Sequence, residues 1–198
     1  MLTDISLIAL GYLAGSVASA IIVCRVLGLR DPRSGGSRNP GATNVLRMHG
    51  KKAAALALAG DVGKGSVPVL LAALLGSGPW VTALTGVAAF AGHLYPIFFG
   101  FRGGRGVATL VGVLLGAQWL VGVAFIATWL VLAAAFRYSS LASMAAAALT
   151  PLYTLILHGR IEFVVCFGLM AAVLVWRHRP NIRNLLAGTE SKIGAAGQ

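Results

Sequence analysis

The sequence predicts an all-α integral membrane protein with about seven transmembrane helices, some of them short or re-entrant. Hydrophobic residues make up 58% of the chain and the mean hydropathy is +0.84, well above the values typical of water-soluble domains. These residues fall in long apolar runs, most of them close to the ~20 residues that a helix needs to cross a bilayer. We expect residues 1–198 to form a single polytopic membrane domain.

The distribution of basic residues predicts the orientation of the chain. Of the 16 lysines and arginines, only Lys64 and Arg160 lie away from the proposed cytoplasmic segments. Because cytoplasmic loops are enriched in basic residues, we expect the amino terminus outside and the carboxyl terminus in the cytoplasm. The predicted cytoplasmic segments are residues 28–52, 100–106, 137–140 and 177–198. The net charge of +11 then reflects topology and contact with anionic lipids.

The first predicted span is one helix over residues 4–27. Small residues recur along it at helical spacing and would let a neighbouring helix pack closely. They are Gly11, Gly15, Ser16 and Ser19.

The second predicted span, residues 53–76, contains two charged side chains, Asp61 and Lys64. They are three residues apart and share a helix face, so they would neutralise each other. A lysine inside a span costs ~2.5–3.5 kcal/mol and often faces a substrate or a watery cavity. The sequence supports a self-neutralising pair and a substrate-facing lysine about equally.

The remaining spans begin with residues 80–99, where His93 is favoured as a packed, hydrogen-bonded side chain over a catalytic one. Residues 107–136 carry no charge and are flanked by arginines at both ends. We therefore predict two passages with a break near residues 116–118 and a short or re-entrant first half. Residues 141–157 and 163–176 complete the seven.

A polar segment at residues 34–47 is the strongest indication of function. It combines glycines, hydroxyl and amide side chains, and arginines: Gly35, Gly36, Gly41, Ser34, Ser37, Asn39, Thr43, Asn44, Arg38 and Arg47. Glycines let the main chain approach a ligand, and the polar groups can donate hydrogen bonds to an oxyanion. Although such a cluster is most often only a turn, its density favours a phosphate-binding loop.

Residues 101–109 form a second glycine-rich loop with two arginines. The loop leads directly into a predicted helix, whose unpaired N–H groups and dipole would join Arg102 and Arg105 as an anion site. Residues 60–66 lack the Walker A spacing and no strand precedes them, so nucleotide binding is not predicted.

The tail contains the histidine best placed for proton transfer near neutral pH. His178 precedes Asn181 by three residues, so the two would share a face in a helix. A histidine that only contacts lipid headgroups is equally well supported by these residues. The chain has five carboxylates in total, which argues against paired-carboxylate hydrolysis and carboxylate-bound metal. We predict neither a cofactor nor a metal.

Motifs along nearly the whole chain occur in an order typical of one family. They are Asp31-Pro-Arg, Ser37-Arg-Asn-Pro-Gly-Ala-Thr-Asn-Val-Leu-Arg47, Asp61-Val-Gly-Lys-Gly65, Gly92-His-Leu-Tyr-Pro-Ile-Phe98, Phe101-Arg-Gly-Gly-Arg-Gly-Val-Ala-Thr109, Tyr138-Ser-Ser140, and Asn181-Ile with Thr189-Glu190-x-Lys192. They resemble the bacterial acyl-phosphate:glycerol-3-phosphate acyltransferases, the PlsY type. Two positions depart from the family pattern: Arg38 stands where glycine is usual, and Arg105 where lysine is usual.

The resemblance implies an enzyme that transfers a fatty acyl group from acyl phosphate to the sn-1 hydroxyl of glycerol 3-phosphate. The products would be lysophosphatidic acid and inorganic phosphate, in the first step of phospholipid synthesis. It also implies a multi-pass protein of the bacterial plasma (inner) membrane that contacts membrane lipids and the soluble enzyme supplying acyl phosphate. No nucleic-acid partner is implied.

The resemblance further implies roles for individual residues. The catalytic residues would be Ser37, Arg47, His178 and Asn181. The substrate-binding residues would be Asn39, Thr43, Asn44, Lys64, Gly103, Gly104, Arg105, Gly106 and Ser140. His178 would deprotonate the acceptor hydroxyl, or orient it while a phosphate oxygen takes the proton. Glu190 would give structural support by pairing with an arginine.

Two other functions are less well supported. A coenzyme-A-dependent acyltransferase of the soluble type would carry a histidine-x4-aspartate signature, but none of the four histidines has an acidic residue five positions later. An anion transporter would suit glycine-broken helices and Lys64. However, the polar clusters gather on one predicted side of the membrane, and no inverted repeat is evident.

Overall fold

The computed structural model describes residues 1–194, which contain helices and turns but no strand. In chain order the α-helices are α1 Leu2–Gly15, α2 Ser19–Val26, α3 Ala42–His49, α4 Lys51–Leu74, α5 Pro79–Leu94, α6 Val107–Ala117, α7 Trp119–Phe136, α8 Ser139–Leu157, α9 Ile161–Arg177 and α10 Arg179–Leu186. Single 3-10 turns occupy Pro32–Ser34 and Ile97–Phe99. The predicted all-α class is confirmed. The last four residues of the predicted segment 177–198 lie outside the described residues.

Each of the seven predicted apolar segments contains a helix. Four helical segments are long and apolar enough to span a bilayer: α4, α7, α8, and Pro79–Phe99, which includes α5. Two bent pairs also qualify when each is taken as one span, α1 with α2 at 45° and α9 with α10 at 54°. The remaining segment, α6, is a shorter apolar helix that ends at the predicted break. The orientation of the termini stays a prediction.

The prediction of one continuous helix over residues 4–27 is wrong. The chain breaks after Gly15 and resumes a helix at Ser19, so α1 and α2 meet at 45°. At the break, the Ser16 hydroxyl donates to the carbonyl of Tyr12 at 2.8 Å. The carbonyl of Val17 accepts from the backbone N–H of Ser19 at 3.1 Å and from the Lys64 ammonium at 2.8 Å. A side chain distant in sequence therefore donates a hydrogen bond to a carbonyl at the break. Local periodicity does not reveal this contact.

Small residues bring the helices of the first span and α5 close together. A Cβ atom at Gly11 would lie 2.6 Å from the carbonyl oxygen of Thr85, and one at Gly15 would overlap the backbone of Ala89. The predicted close-packing role of these two glycines is thus confirmed, because only glycine leaves room for this approach.

The chain divides into two compact units, Met1–Ala117 and a second that begins at Gln118. In the first unit α4 is the central helix, in contact with α1, α2, α3, α5 and α6. In the second unit α8 packs against both α7 and α9, and α10 follows α9. The single domain expected for residues 1–198 stays a prediction.

Candidate active site

The first polar loop is shaped by Asn44, which lies in the first turn of α3 and is 1% exposed. Its Oδ1 accepts from the backbone N–H of Ser37 at 2.9 Å, and its Nδ2 donates to the carbonyl of Pro32 at 2.8 Å. These bonds reach back seven and twelve residues along the chain. The amide of Asn44 is therefore engaged by the loop backbone, and it holds Ser37 in place.

An ion pair fixes the start of this loop. The Asp31 carboxylate accepts from Arg33 Nη2 at 2.7 Å, from Arg33 Nε at 3.1 Å and from the Arg33 backbone N–H at 2.8 Å. These hydrogen bonds hold the pKa of the Asp31 carboxyl below its usual value and raise the pKa of Arg33. At the far end of α3, a His49 ring nitrogen lies 2.9 Å from the carbonyl oxygen of Arg30.

The remaining predicted residues of the first loop are exposed or half-buried at the surface of the protein. Thr43 and Arg47 are one turn apart on α3 and both are exposed, whereas Asn44 and Val45 are buried. Three further side chains share this loop: exposed Ser37 and Arg38, and half-buried Asn39.

Arg38 has a φ of +55°, in the left-handed region that favours glycine. The backbone at this position is thus one that glycine adopts more readily than arginine.

The second loop, residues 100–106, is pinned to the end of α5. The N–H of Gly103 donates to the carbonyl of Leu94, and the N–H of Gly104 to that of His93, both at 3.2 Å. A Cβ at Gly103 would overlap the His93 carbonyl, and one at Gly104 would overlap the His93 ring. These two glycines are therefore required for close packing, and their N–H groups are already used within the protein. The loop runs directly into α6, as predicted.

The two glycine-rich loops meet around one cavity of about 360 Å³. We call it the arginine cavity. Its lining residues are Arg33, Arg38, Pro40, Arg102 and Gly103. Of these, Gly103 was predicted to bind substrate, Arg102 to form part of an anion site, and Arg38 to belong to the phosphate-binding loop. Arg33 and Pro40 are the contributors that the sequence did not single out. The Asp31-Pro-Arg motif was the available signal for Arg33.

A buried charged cluster lies next to the second loop. The Lys64 ammonium is 2.8 Å from Asp61 Oδ1, and His93 Nδ1 is 3.7 Å from the same oxygen. A void of about 10 Å³ is lined by these three side chains together with Gly103 and Gly104. Of the two roles that the sequence left open for Lys64, the internal ion pair is present. His93 is buried, as the sequence favoured.

In the second unit, His178 caps the junction between α9 and α10 and is 2% exposed. Its Nδ1 lies 2.8 Å from the carbonyl oxygen of Leu174. Because a carbonyl can only accept, Nδ1 must carry a proton, and in a neutral ring the lone pair is then on Nε2. This is the tautomer that a general base acting through Nε2 requires.

Glu190 organises the other polar residues of this unit. Its Oε1 accepts from the Ser140 hydroxyl at 2.6 Å and from Asn181 Nδ2 at 2.7 Å, and its Oε2 accepts from Asn184 Nδ2 at 3.3 Å. The expected arginine partner is therefore wrong: α10 brings amide groups to the carboxylate instead. Asn181 is buried, and its Oδ1 has no hydrogen-bond partner within residues 1–194.

The structure thus gathers the predicted residues in two local sets. In the first unit they are held by Asn44 and by the end of α5, and in the second unit by Glu190. The contacts that sequence reasoning missed are those of Lys64 with Val17 and of Asn184 with Glu190. No sequence pattern signals either contact.

Comparison with known proteins identifies the family. The family model for glycerol-3-phosphate acyltransferase matches residues 5–188. A glycerol-3-phosphate acyltransferase of Methylococcus capsulatus is 54% identical over 189 residues, covering 96% of each chain. One from Halorhodospira halophila is 51% identical over 194 residues, covering 98% of each.

Solved structures agree with the sequence comparisons. The crystal structure of PlsY, an integral membrane glycerol 3-phosphate acyltransferase, in its glycerol 3-phosphate form has a TM-score of 0.92 and 36% identity. The lysophosphatidic acid form of PlsY has a TM-score of 0.90. Both alignments cover 97% of this chain and 96% of the other. This chain belongs to the glycerol-3-phosphate acyltransferase family.

Proposed function

We propose that this protein transfers a fatty acyl group from acyl phosphate to the sn-1 hydroxyl of glycerol 3-phosphate, releasing lysophosphatidic acid and inorganic phosphate. Family membership supports glycerol 3-phosphate as the acceptor. Binding of two phosphate-containing substrates is supported by one observation: the two glycine-rich loops meet around a cavity lined by three arginines. Guanidinium groups match the geometry and charge of phosphate oxygens.

The proposed reaction needs no covalent intermediate on the protein. Acyl phosphate is a mixed anhydride, so its carbonyl carbon is already electrophilic and phosphate is a good leaving group. The acceptor oxygen attacks that carbon, the bond from the carbonyl carbon to the phosphate oxygen breaks, and phosphate leaves with the electron pair. The protein then contributes positioning, charge stabilisation and the removal of one proton.

For the proton we propose His178 in either of two roles. Its Nε2 lone pair would accept the proton directly, or would orient the hydroxyl while a phosphate oxygen takes it. Support comes from the Nδ1 hydrogen bond to Leu174, which favours this tautomer. Asn181 Oδ1, buried and without a protein partner in the described chain, would accept a hydrogen bond from the acceptor glycerol. Glu190 would orient both Asn181 and Ser140.

For the charges we propose that Arg47 and Arg105 neutralise substrate phosphates. Ser37, Asn39 and Thr43 would cradle the acyl phosphate group, and Asn44 would shape their loop through its bonds to Ser37 and Pro32. The second loop, with Gly103, Gly104 and Gly106, would approach glycerol 3-phosphate. A direct substrate contact for Lys64 has less support, because its ammonium already has two internal partners.

We place the protein in the bacterial inner membrane, as one polytopic domain, with its amino terminus outside and its polar loops in the cytoplasm. The basic residues of these loops support this orientation. The polar loops would then face the soluble enzyme that supplies acyl phosphate.

Release of inorganic phosphate by the purified protein in detergent tests this function. Palmitoyl phosphate is supplied with and without glycerol 3-phosphate, and palmitoyl-coenzyme A serves as a parallel donor. We expect release that depends on glycerol 3-phosphate, formation of lysophosphatidic acid, and no reaction of the thioester. Folded protein that is inactive with palmitoyl phosphate, or equally active with the thioester, would contradict the proposal.

A further inference from the structure

The tail segment, residues 190–193, lies against the corner between α7 and α8, residues 137–140. At one end the two segments exchange a pair of hydrogen bonds. The backbone N–H of Ile193 donates to the Arg137 carbonyl at 2.6 Å, and Arg137 Nη2 donates to the Ile193 carbonyl at 3.0 Å. Arg137, which has no role among the assigned site residues, thus holds the backbone of the tail.

Two further contacts continue this pairing in antiparallel register. Lys192 Nζ lies 5.7 Å from the ring centroid of Tyr138, within the range of a cation–π interaction. Glu190 Oε1 accepts from the Ser140 hydroxyl at 2.6 Å. Each step back along the tail is therefore matched by one step forward along the corner. Contacts at three positions in one register indicate that the whole segment is docked.

The backbone of Arg137 gives an independent indication that its side chain has a purpose. Arg137 is the C-cap of α7, with φ +64° and ψ 20°, in the left-handed region. Glycine adopts this conformation at a helix end most readily, and a residue with a Cβ adopts it at a cost. The hydrogen bond that the guanidinium donates to the Ile193 carbonyl offsets this cost.

The docked tail is connected to the proposed site through one carboxylate. The Glu190 oxygen that binds Ser140 also accepts from Asn181 Nδ2 at 2.7 Å, and Asn181 is buried. Because the amide group is planar, fixing its Nδ2 also fixes the direction of its Oδ1. That Oδ1 has no hydrogen-bond partner within residues 1–194. The position of the tail therefore determines where this acceptor points.

We propose that Arg137 is a positioning residue for acyl transfer. By holding the tail segment on the corner, it places the Glu190 carboxylate, which in turn orients the Asn181 amide toward the acceptor glycerol. The inference rests on the proposed function, which assigns the acceptor to Asn181. Arg137 acts through these two residues.

Steady-state kinetics of Arg137→Gly and Arg137→Lys in detergent test this role. In Arg137→Gly we expect kcat/KM for glycerol 3-phosphate to fall about threefold to tenfold, as loss of one hydrogen bond to the acceptor predicts. KM for palmitoyl phosphate should not change, because Asn181 is assigned to the acceptor. Lysine can still donate to the Ile193 carbonyl, so Arg137→Lys should recover part of the loss. Arg160→Gln, which changes an exposed arginine at the N-cap of α9, is the matched control and should have wild-type kinetics.

Two features of this design separate positioning from stability. Glycine suits the φ of residue 137, so Arg137→Gly should have a thermal midpoint close to that of the wild type. If Arg137 acts through Glu190, the double variant Arg137→Gly with Glu190→Ala should have the same kcat/KM as Glu190→Ala alone. Losses that add in the double variant would show that Arg137 does not act through Glu190.

Limited trypsin digestion of the full chain measures docking of the tail without any substrate. Mass spectrometry follows cleavage after Lys192, which requires the tail to leave the corner. We expect faster cleavage in Arg137→Gly than in the wild type and in Arg160→Gln. An unchanged cleavage rate in Arg137→Gly, or a wild-type kcat/KM for glycerol 3-phosphate, would overturn the inference.

Failure of the proposed function is distinguishable from failure of this inference. Absence of acyl transfer by the wild type would contradict the proposed function. Isothermal titration with glycerol 3-phosphate alone then replaces kcat/KM, and Arg137→Gly should bind it about threefold to tenfold more weakly than the wild type and Arg160→Gln. Equal affinity of all three proteins would overturn the positioning role of Arg137.

Discussion

The ammonium of Lys64 lies 2.8 Å from the Asp61 carboxylate one helical turn earlier on α4, and both side chains are more than nine-tenths buried. The same ammonium donates to the carbonyl of Val17, which the break between α1 and α2 leaves without a helical partner. The Lys64 ammonium therefore neutralises a buried carboxylate and donates a hydrogen bond to a carbonyl at the helix break. The hydrogen bond to Val17 links the first span to α4.

Lys64→Met should destabilise the protein strongly. Loss of the ammonium would leave the Asp61 carboxylate buried without its nearest cation, and the Val17 carbonyl would keep only the backbone N–H of Ser19 as a donor. Removing one partner of a buried ion pair typically costs about 3–5 kcal/mol. We expect a clearly lower thermal midpoint in detergent, with unchanged KM values in the molecules that remain folded.

Two further variants control this prediction. Lys51→Met removes an exposed lysine at the start of the same helix and should leave the midpoint within about 0.5 kcal/mol of the wild type. The double variant Asp61→Leu with Lys64→Met should regain part of the loss, because no charge then stays buried. A raised KM at an unchanged midpoint would instead show that Lys64 contacts substrate.

Gly103→Ala should disrupt the second loop. The added methyl group would overlap the carbonyl oxygen of His93, and the loop would have to leave the end of α5. We expect a large fall in kcat/KM for glycerol 3-phosphate together with a lower thermal midpoint. Gly63→Ala is the matched control: a Cβ there meets no atom within 4 Å, and alanine favours a helix interior by up to about 1 kcal/mol. Equal behaviour of the two variants would refute this packing argument.

His178→Ala should abolish turnover while leaving the protein folded in the membrane. Loss of a general acid or base typically lowers kcat by about 10²–10⁴-fold. Phosphate release from palmitoyl phosphate measures the effect. His158→Ala, an exposed histidine after α8, should retain full activity. Full activity of His178→Ala would remove this residue from the mechanism.

Arg47→Ala should also abolish turnover, for an electrostatic reason. Its exposed guanidinium on α3 would no longer neutralise a substrate phosphate. The thermal midpoint should stay close to that of the wild type, since Arg47 is exposed. Arg47→Lys, which keeps the charge, should recover part of the activity. An Arg47→Ala enzyme with wild-type kinetics would contradict the proposed role.

Glu190→Ala should loosen the second unit. The carboxylate accepts three hydrogen bonds, two of them from the side chains of Ser140 and Asn181 at 2.6 and 2.7 Å. Hydrogen bonds to a charged group contribute about 1.5–3 kcal/mol each, so we expect a lower thermal midpoint and a lower kcat. Glu162→Gln, in the first turn of α9, is the control and should change the stability by less than about 1 kcal/mol. A normal midpoint for Glu190→Ala would contradict the structural role.

The ion pair of Asp31 with Arg33 should make stability depend on pH at the acidic end. The folded pKa of Asp31 is below its usual value of 3.8 because Arg33 donates to the carboxylate. The contribution of this ion pair to the free energy of unfolding is therefore complete above about pH 4. It is lost as pH falls through the lowered pKa of Asp31 in the folded state. Its size should be at most about 1 kcal/mol, since both side chains are about one-third exposed.

Thermal midpoints of the wild type and of Asp31→Asn between pH 2 and 7 test this pH dependence. The wild type should be the more stable of the two at pH 7, and the two curves should converge at the acid end. A difference that stays constant over the whole range would rule out the ionised pair as its cause.

The sequence by itself determined the helical class, the seven apolar segments and both glycine-rich loops. These follow from local properties: an apolar run must be helical in a bilayer because its backbone groups must bond within the segment. The break near residues 116–118 was also predictable, because arginines flank an uncharged stretch too long for one crossing. The motifs of residues 37–47 and 101–109 indicated the family, and comparison with known proteins confirmed it.

Only the tertiary structure decided which groups meet across the chain. Val17 and Lys64 are 47 residues apart, and Ser140 and Glu190 are 50 apart. The arginine cavity joins Arg38 to Arg102, which lie on different loops. Charge, hydropathy and spacing report on neighbours within a few turns. The partner of a buried polar group depends on how helices pack, and that packing brings together residues that no local pattern connects.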